Sequence, residues 1–416
     1  MIKPIAIYLP QFHSIHENDK AWGVGFTEWT NVRKAQPFFE GHYQPHEPHE
    51  DVGYYDLSDP KVMVKQATMA KEFGIYGFAF YHYWFNGKRL LETPLDNMLN
   101  TGTPDFPFLY IWANENWSKR WDGSDDEIIQ EQHYSYKDDL EHIRFLCLNV
   151  FSDKRYITVD NKPVFIVYRT ELIPEIKETA RIWREEAIKY GFKDLYLVRV
   201  ENFKEDINPL EIGFDASMEF APDVKKSPFV LNTINDNKII DYPASVNKRS
   251  LKADKDFPWF RCVYNGWDNS ARKANNAGVF INNTPELFQQ FFYRTVQYAK
   301  RVLPGNQQFV FINAWNEWAE GCHIEPDKKN GYAYLNAVRD VLEDKSESNK
   351  LDYIKFIETN LRETLKINYL LNDKLEQVQQ EYKRIVDSKG HQLMSIIILS
   401  YRRVKKYIKF LVKKRE

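Results

Sequence analysis

The stretch F-V-F-I-N-A-W-N-E-W-A-E-G-C-H-I-E-P, residues 309–326, opens as an apolar run and closes as a cluster of Asn, Trp and Glu. A nearly continuous apolar run suits a parallel strand buried on both faces. The carboxylates of Glu317, Glu320 and Glu325 then stand just beyond the point where the strand leaves the core. Seven runs of the same kind precede it: KPIAIYLP (3–10), YGFAFYHYWF (76–85), PFLYIWANE (107–115), KPVFIVYR (162–169), LYLVRVEN (195–202), FDASMEF (214–220) and WFRCVYNGWD (259–268). Segments between them read as helices: Pro60 to Phe73, Lys137 to Val150, Glu171 to Tyr190, and Pro285 to Val302 behind a Thr284 cap. Eight strands alternating with helices predict an α/β protein, a (β/α)₈ TIM barrel rather than an open doubly wound sheet. The sixth unit is the weakest, with a short strand followed by a long Asn- and Lys-rich segment, 221–258, that reads as an insertion loop.

Several runs finish in polar or aromatic residues: Tyr8 and Gln11; His82, Tyr83 and Trp84; Asn114, Glu115 and Trp117; Arg199 and Glu201; Glu219; Trp267 and Asp268; Asn313, Asn316, Glu317 and Glu320. In a parallel barrel the C-terminal strand ends converge on one face, where active sites are built. The clusters therefore predict one shared pocket. Glu28 and Trp29, in the first loop within G-F-T-E-W (25–29), are added as sugar contacts. The expected substrate-binding set is Tyr8, Gln11, Glu28, Trp29, His82, Trp84, Asn114, Glu115, Trp117, Glu219, Trp267, Asn316 and Glu325, around Glu317 and Glu320. For any single residue the plainer reading is core packing or a loop braced by its aromatics.

Composition narrows the function classes. A net charge of −2 with 28% charged residues gives no basic footprint for nucleic acid. Tyr and Trp, 25 and 11 of them, are the side chains whose faces cover sugar rings while their polar tips hydrogen-bond. Cys147, Cys262 and Cys322 are an odd number with no C-x-x-C pair, which fits a reducing compartment. The N-terminal apolar run breaks at Pro10 and no stretch has the length of a membrane span, so a cytoplasmic protein is expected. His13, His42, His46 and His49 crowd the N-terminal loops but fit no zinc spacing, so neither metal nor cofactor is expected.

Residues 1–343 are assigned to the barrel. Residues 344–387 are charged, with apolar residues at near-heptad spacing from Ile357 to Val378, and predict a long helix that self-associates as a coiled coil. Residues 388–416 combine M-S-I-I-I-L with eight Lys or Arg from Arg402 to Arg415. This basic amphipathic tail reads as a peripheral contact with an anionic inner-membrane surface, or as a solvated helix.

Glycosidic-bond chemistry needs a proton donor for the leaving oxygen and a second carboxylate at the reacting centre. Glu317 and Glu320, three apart beside Trp315 and Trp318, supply both, and burial against indole rings raises a carboxyl towards the range of a general acid. The segment NEWAEGCHIEP resembles the N-E-W-x-E-G-x-x-I-E motif of glycoside hydrolase family 99, the endo-α-mannosidases and endo-α-mannanases. IAIYLPQFHSIHENDKAWGVGFTEWTNV (5–32), GHYQPHEP (41–48) and GYYDLSDP (53–60) resemble more specifically the WbsX-type branch, associated with bacterial O-antigen and capsule assembly. The likeness spans about residues 1–340. It implies a (β/α)₈ fold and an oligosaccharide or polysaccharide substrate. It further implies Glu317 as base on a sugar 2-hydroxyl, with net retention through a 1,2-anhydro sugar, and Glu320 as general acid/base. Ala319 and Cys322 depart from the hydrolases, so neither mannose specificity nor hydrolysis carries over.

The expectation is thus a glycosyltransferase or glycoside hydrolase acting on bacterial surface polysaccharide. No P-loop or G-x-G-x-x-G is present, and Asp254-Lys-Asp256 is the sole D-x-D, which favours glycosidase-like machinery passing its sugar to water or to an acceptor. Two alternatives stand beside it: a non-catalytic glycan-binding scaffold, and a metal-dependent deacetylase-like hydrolase resting on the histidines alone.

Overall fold

The computed structural model describes residues 1–344 apart from 120–126, 202–206, 225–228, 235 and 274, and beyond 344 only residues 376–380, 382, 383, 401, 404 and 405. Eight chain passes form the barrel: β1 (Lys3–Tyr8), β2 (Gly77–Phe85), β3 (Phe108–Trp112), β4 (Lys162–Val167), β5 (Tyr196–Glu201), β6 (Ala216–Glu219), β7 and β8 (Phe309–Asn313). The seventh is interrupted at Arg261 into Trp259–Phe260 and Cys262–Tyr264. Its first piece pairs with β6, placing Ser217 opposite Trp259, and its second with β8, placing Cys262 opposite Phe311. β8 pairs in turn with β1, Ala6 opposite Ile312. All these ladders are parallel, and the two pieces of the seventh pass, at the two ends of the sheet, bring it to a nearly closed barrel.

The helices follow the expected signals. Asp59 caps Pro60–Glu72, accepting from the Lys61 amide at 3.0 Å with proline at the first helical position. Ser135 caps Tyr136–Asn149, and Thr284 caps Pro285–Val302. Ile176–Lys189 starts later than the sequence suggests, because a 3₁₀ turn, Thr170–Leu172, precedes it. At Gly77, where β2 enters beside β3, a Cβ would lie 2.5 Å from the Pro107 carbonyl oxygen, so only glycine fits.

The segment after β6 is not a bare insertion loop. It carries the antiparallel pair Val230–Ile234 and Asn237–Asp241, extended by Gly278–Ile281 from the loop after β7, and then the helix Tyr242–Ser250 capped by Asp241. The Asn- and Lys-rich composition hid a hairpin and the sixth barrel helix.

Side chains alternate across each strand, so odd and even positions part between barrel interior and helix layer. On β2, Phe80, His82 and Trp84 face the helices, with His82 stacked on Tyr110 and Trp84 on His142. Tyr81 and Tyr83 face inward. The chain divides into two compact units, Met1–Lys350 and Leu351–Glu416. In the second, Tyr382 and Tyr401 stack with centroids 6.0 Å apart, and most of the expected helix 344–387 and basic tail 388–416 lie outside the described residues. Among the described residues no helix is long and apolar enough to cross a membrane.

Candidate active site

At the C-terminal mouth of the barrel, inward-facing strand ends enclose a cavity of about 340 Å³. Its aromatic lining is Tyr81 and Tyr83 from β2, Tyr168 beyond β4, Phe220 beyond β6, and Trp117 and Trp267 from the loops after β3 and β7. Its charged lining includes Glu115, Arg272, Glu317 and Glu320.

Three carboxylates converge on Arg272. Its Nη1 donates to Glu320 Oε1 at 2.5 Å, its Nη2 to Glu317 Oε2 at 2.9 Å, and its Nε to Glu28 Oε1 at 2.8 Å. The four side chains come from three separate parts of the chain. Glu317 and Glu320 follow β8, Glu28 opens the helix Glu28–Lys34 behind a Thr27 capping box, and Arg272 follows a 3₁₀ turn capped by Asp268. The Asp268 amide donates to the Glu320 carbonyl at 2.6 Å, tying the arginine's loop to the motif.

One guanidinium cannot neutralise three buried carboxylates, and a like charge nearby disfavours ionisation. Burial, with Glu317 beside it, pushes Glu28 up to about 7 despite Arg272. Burial pushes Glu320 up to about 8 against Arg272, helped by Glu317 and Glu28. Glu317 is also raised by burial, with Arg272 opposing. With Glu28 pushed up to about 7 and Glu320 to about 8, the cluster favours holding protons near neutral pH.

The other motif residues hold this arrangement. Asn316 Oδ1 accepts from the Leu9 amide at 2.8 Å and its Nδ2 donates to the Leu9 carbonyl at 3.0 Å, clipping the end of β8 to that of β1. Glu325 accepts from Trp315 Nε1, Trp318 Nε1, Gln66 Nε2 and Tyr55 Oη at 2.6–2.9 Å. Burial raises it to about 7 while those four donors hold it down. Both residues, expected as substrate contacts, are positioning residues absent from the cavity lining.

Five other expected contacts lie on the wrong side of their strands. Tyr8 points to the helix layer, donating to Gln66 Oε1 at 2.5 Å. His82 meets His142 at 3.1 Å, and Trp84 Nε1 donates to Asp138 at 2.8 Å. Asn114 bonds the Arg169 backbone at both its oxygen and its nitrogen, clipping β3 to β4. Glu219 is caged by Arg249, Arg261 and Lys252, which hold it far below the usual carboxylate range although burial alone would raise it. In each case the neighbouring residue faces in. Trp29 packs on Phe12, Tyr55 and Trp318, and its Nε1 bonds the Tyr55 carbonyl, so it braces the motif instead of lining the cavity. Gln11 is fully buried with no side-chain hydrogen bond among the described residues, while its carbonyl accepts from the Glu28 amide.

Glu115, Trp117, Trp267, Glu317 and Glu320 do line the cavity, with Glu28 reaching it through Arg272. Glu115 pairs with Arg169. Sequence reasoning missed Tyr81, Tyr168, Phe220 and Arg272. Tyr81 was recoverable from strand parity, counting back from Tyr83. Arg272 lies in an irregular loop with no local signal. Of the N-terminal histidines, His42 bonds Asp268 at 2.7 Å and His46 bonds His323 at 3.0 Å. Among the described residues no three His, Cys, Asp or Glu side chains group as metal ligands.

A family model described as "Glycosyltransferase WbsX" matches residues 4–338. WxcX of Xanthomonas campestris pv. campestris, described as uncharacterized, is 39% identical over 344 residues, covering 81% of this chain and 49% of that protein. The chain thus spans about half the length of the curated relatives it matches. The GH99 endo-alpha-mannosidase from Bacteroides thetaiotaomicron aligns with a TM-score of 0.51 at 14% identity, covering 82% of this chain and 96% of that one. A structure described as a glycoside hydrolase-like protein aligns at 0.52 and 15% identity, covering 82% and 93%. At such identities the likeness is one of fold, the (β/α)₈ barrel of these enzymes. By the family model, which matches most of its length, the chain belongs to the WbsX glycosyltransferase family.

Proposed function

We propose that the protein makes or breaks a glycosidic bond with net retention, using Glu317 and Glu320. The observation that carries this reading is the seating of both carboxylates on adjacent nitrogens of Arg272, on the wall of an aromatic cavity. Both carboxylates reach one guanidinium and can therefore act on one sugar, and the likeness to the family-99 hydrolases supports retention. Burial keeps Glu320 protonated near neutrality, as a general acid requires.

By likeness to the endo-α-mannosidases, Glu317 takes the proton of the sugar 2-hydroxyl as O2 bonds to C1. The C1 bond to the leaving oxygen breaks, and Glu320 gives that oxygen its proton. In the second step the Glu320 carboxylate takes a proton from the incoming hydroxyl as its oxygen bonds C1. The O2–C1 bond of the anhydro ring breaks, and Glu317 returns the proton to O2. Water as the incoming group gives hydrolysis; a sugar hydroxyl gives transfer.

The family's description as a glycosyltransferase supports transfer as the outcome, and the resemblance of residues 5–60 to sequences associated with O-antigen and capsule assembly suggests bacterial surface polysaccharide as the substrate. A basic tail at 388–416 would hold such an enzyme at the cytoplasmic face of the inner membrane, and residues 344–387 would pair two copies. The test is turnover of α-mannosides, other α-linked glycans and lipid-linked surface oligosaccharides, with and without acceptor sugars, followed by mass spectrometry. Extended oligosaccharide supports transfer and free sugar supports hydrolysis. Glycan binding with no turnover across the panel overturns the enzymatic reading in favour of a scaffold. Loss of anionic-vesicle binding on replacing the basic residues of 402–415 supports the membrane contact; unchanged binding removes it.

A further inference from the structure

A second cavity, of about 250 Å³, lies against the first, with Trp267 in the lining of both. The motif forms part of its wall. Gly321, at φ +55°, packs so closely that a Cβ would lie 3.0 Å from Asp268 Cβ and 3.2 Å from His46 Cε1. His323 stacks on Trp318 with centroids 3.6 Å apart. The turn that carries Glu320 into one cavity thus continues directly as the wall of the other.

The polar lining of this cavity includes several acceptors beside Asn, Tyr and Trp donors. His323 Nδ1 lies 3.1 Å from the Glu325 carbonyl and therefore donates to it. Burial and its histidine neighbour hold His46 down to about 3, and burial lowers His323, so both rings are neutral near pH 7. His323 Nε2 must then accept from His46 Nδ1, which leaves His46 Nε2 a lone-pair acceptor. The buried carboxylates of Asp268 and Asp327 line the same space. Two further buried polar atoms of the lining have no hydrogen-bond partner among the described residues: Asn265 Oδ1 and Trp267 Nε1, on residues 4% and 9% exposed. Burying polar atoms unpaired costs free energy unless a ligand or water completes them. Two carboxylates against one rim cation, Lys329, disfavour a phosphate or uronate. Acceptors beside an indole face suit a hydroxyl-rich neutral ring.

We propose that this cavity is a subsite for a neutral sugar unit adjoining the one that reacts, with Trp267 as the partition between them. The proposal rests on reading the first cavity as the glycoside site. It adds that the protein engages at least two consecutive sugars, and that discrimination at the second is made by His46, Asn265 and Asp268.

The test is a binding measurement on the full chain carrying Glu320→Gln, titrated calorimetrically with methyl glycosides of mannose, glucose and galactose, their α-linked disaccharides, and inorganic phosphate. At least one disaccharide should bind about tenfold or more tightly than its monosaccharide, the size of one well-made buried hydrogen bond. Asn265→Leu should abolish that gain without changing monosaccharide affinity. Because Asn265 also donates to the His323 carbonyl, Lys329→Trp, at an exposed rim position, supplies an independent block and should abolish the gain as well. No gain for any disaccharide, a gain that survives both variants, or phosphate binding lost in Lys329→Trp would each overturn the subsite. Retained turnover in Glu320→Gln would instead sink the catalytic reading, so the two failures are told apart.

Discussion

Arg272 Nη2 donates to Glu317 Oε2 at 2.9 Å, and that contact joins the loop after the seventh strand to the motif after the eighth. Because Glu320 and Glu28 share the same guanidinium, the charge balance of the site depends on one side chain.

Removing that side chain should therefore cost both stability and chemistry. Arg272→Met leaves three buried carboxylates without the cation they share, a change worth about 3–5 kcal/mol in comparable buried pairs. The loss should be larger at pH 8 than at pH 5, where the carboxylates take up protons instead. Arg272→Lys keeps the charge but not the fork that reaches three partners, and should recover stability more than turnover. Urea unfolding of both variants at the two pH values checks this. Equal losses at pH 5 and pH 8 would remove the shared-charge argument.

Glu325 gives a pH signature of its own. Its folded-state value of about 7 lies above the ordinary carboxylate value, so the folded chain binds the proton more tightly than the unfolded one. The stability it contributes is complete below the unfolded value and is lost as pH rises through about 7. The advantage of wild type over Glu325→Gln should accordingly shrink by roughly 1–3 kcal/mol between pH 4.5 and pH 8. An advantage that grows with pH would reverse the assignment.

Strand parity separates binding from packing on adjacent residues. Tyr83→Ala should weaken glycan binding about tenfold or more. Trp84→Phe, which loses the bond to Asp138, should cost about 1–3 kcal/mol of stability and leave affinity unchanged. Titration and thermal unfolding of the pair check this, and weakened binding in Trp84→Phe would place the wrong face inward.

At the far side of the barrel, Glu219→Ala strands Arg249 and Arg261 in the core and should destabilise by about 3–5 kcal/mol. Since Glu219 does not line the cavity, the folded fraction should keep its KM. A raised KM with unchanged stability would return Glu219 to the substrate contacts.

These contrasts show what the sequence carries and what it leaves out. The eight strands were legible because their apolar runs are long and bounded by polar clusters, and Pro285–Val302 was legible because Thr284 and Pro285 mark its start. The inward face was harder to read. Strands buried on both sides show no polar alternation, so Tyr8, His82, Trp84, Asn114 and Glu219 drew notice for being polar or aromatic although each is absent from the cavity lining. A shift of one residue exchanges every side chain between faces. Tyr81 and Tyr168 passed as core for the same reason. Glu325 and Asn316 sit in the motif and look catalytic, yet their hydrogen bonds are spent on Trp315, Trp318 and Leu9. Arg272 comes from a loop whose approach to Glu317, 45 positions later in the chain, is set by tertiary structure alone. The hairpin after β6 was hidden by its polar composition.

The central claim is that Glu317 and Glu320 carry the bond chemistry, and turnover of the glycan panel by wild type, Glu317→Gln and Glu320→Gln as a function of pH tests it most directly. Both variants should lose activity by a factor of about 100 or more while still binding glycan. Wild type should lose activity on the alkaline side as the proton of Glu320, held at about 8, dissociates. Turnover surviving in either variant, or activity rising steadily through pH 8, would contradict the account.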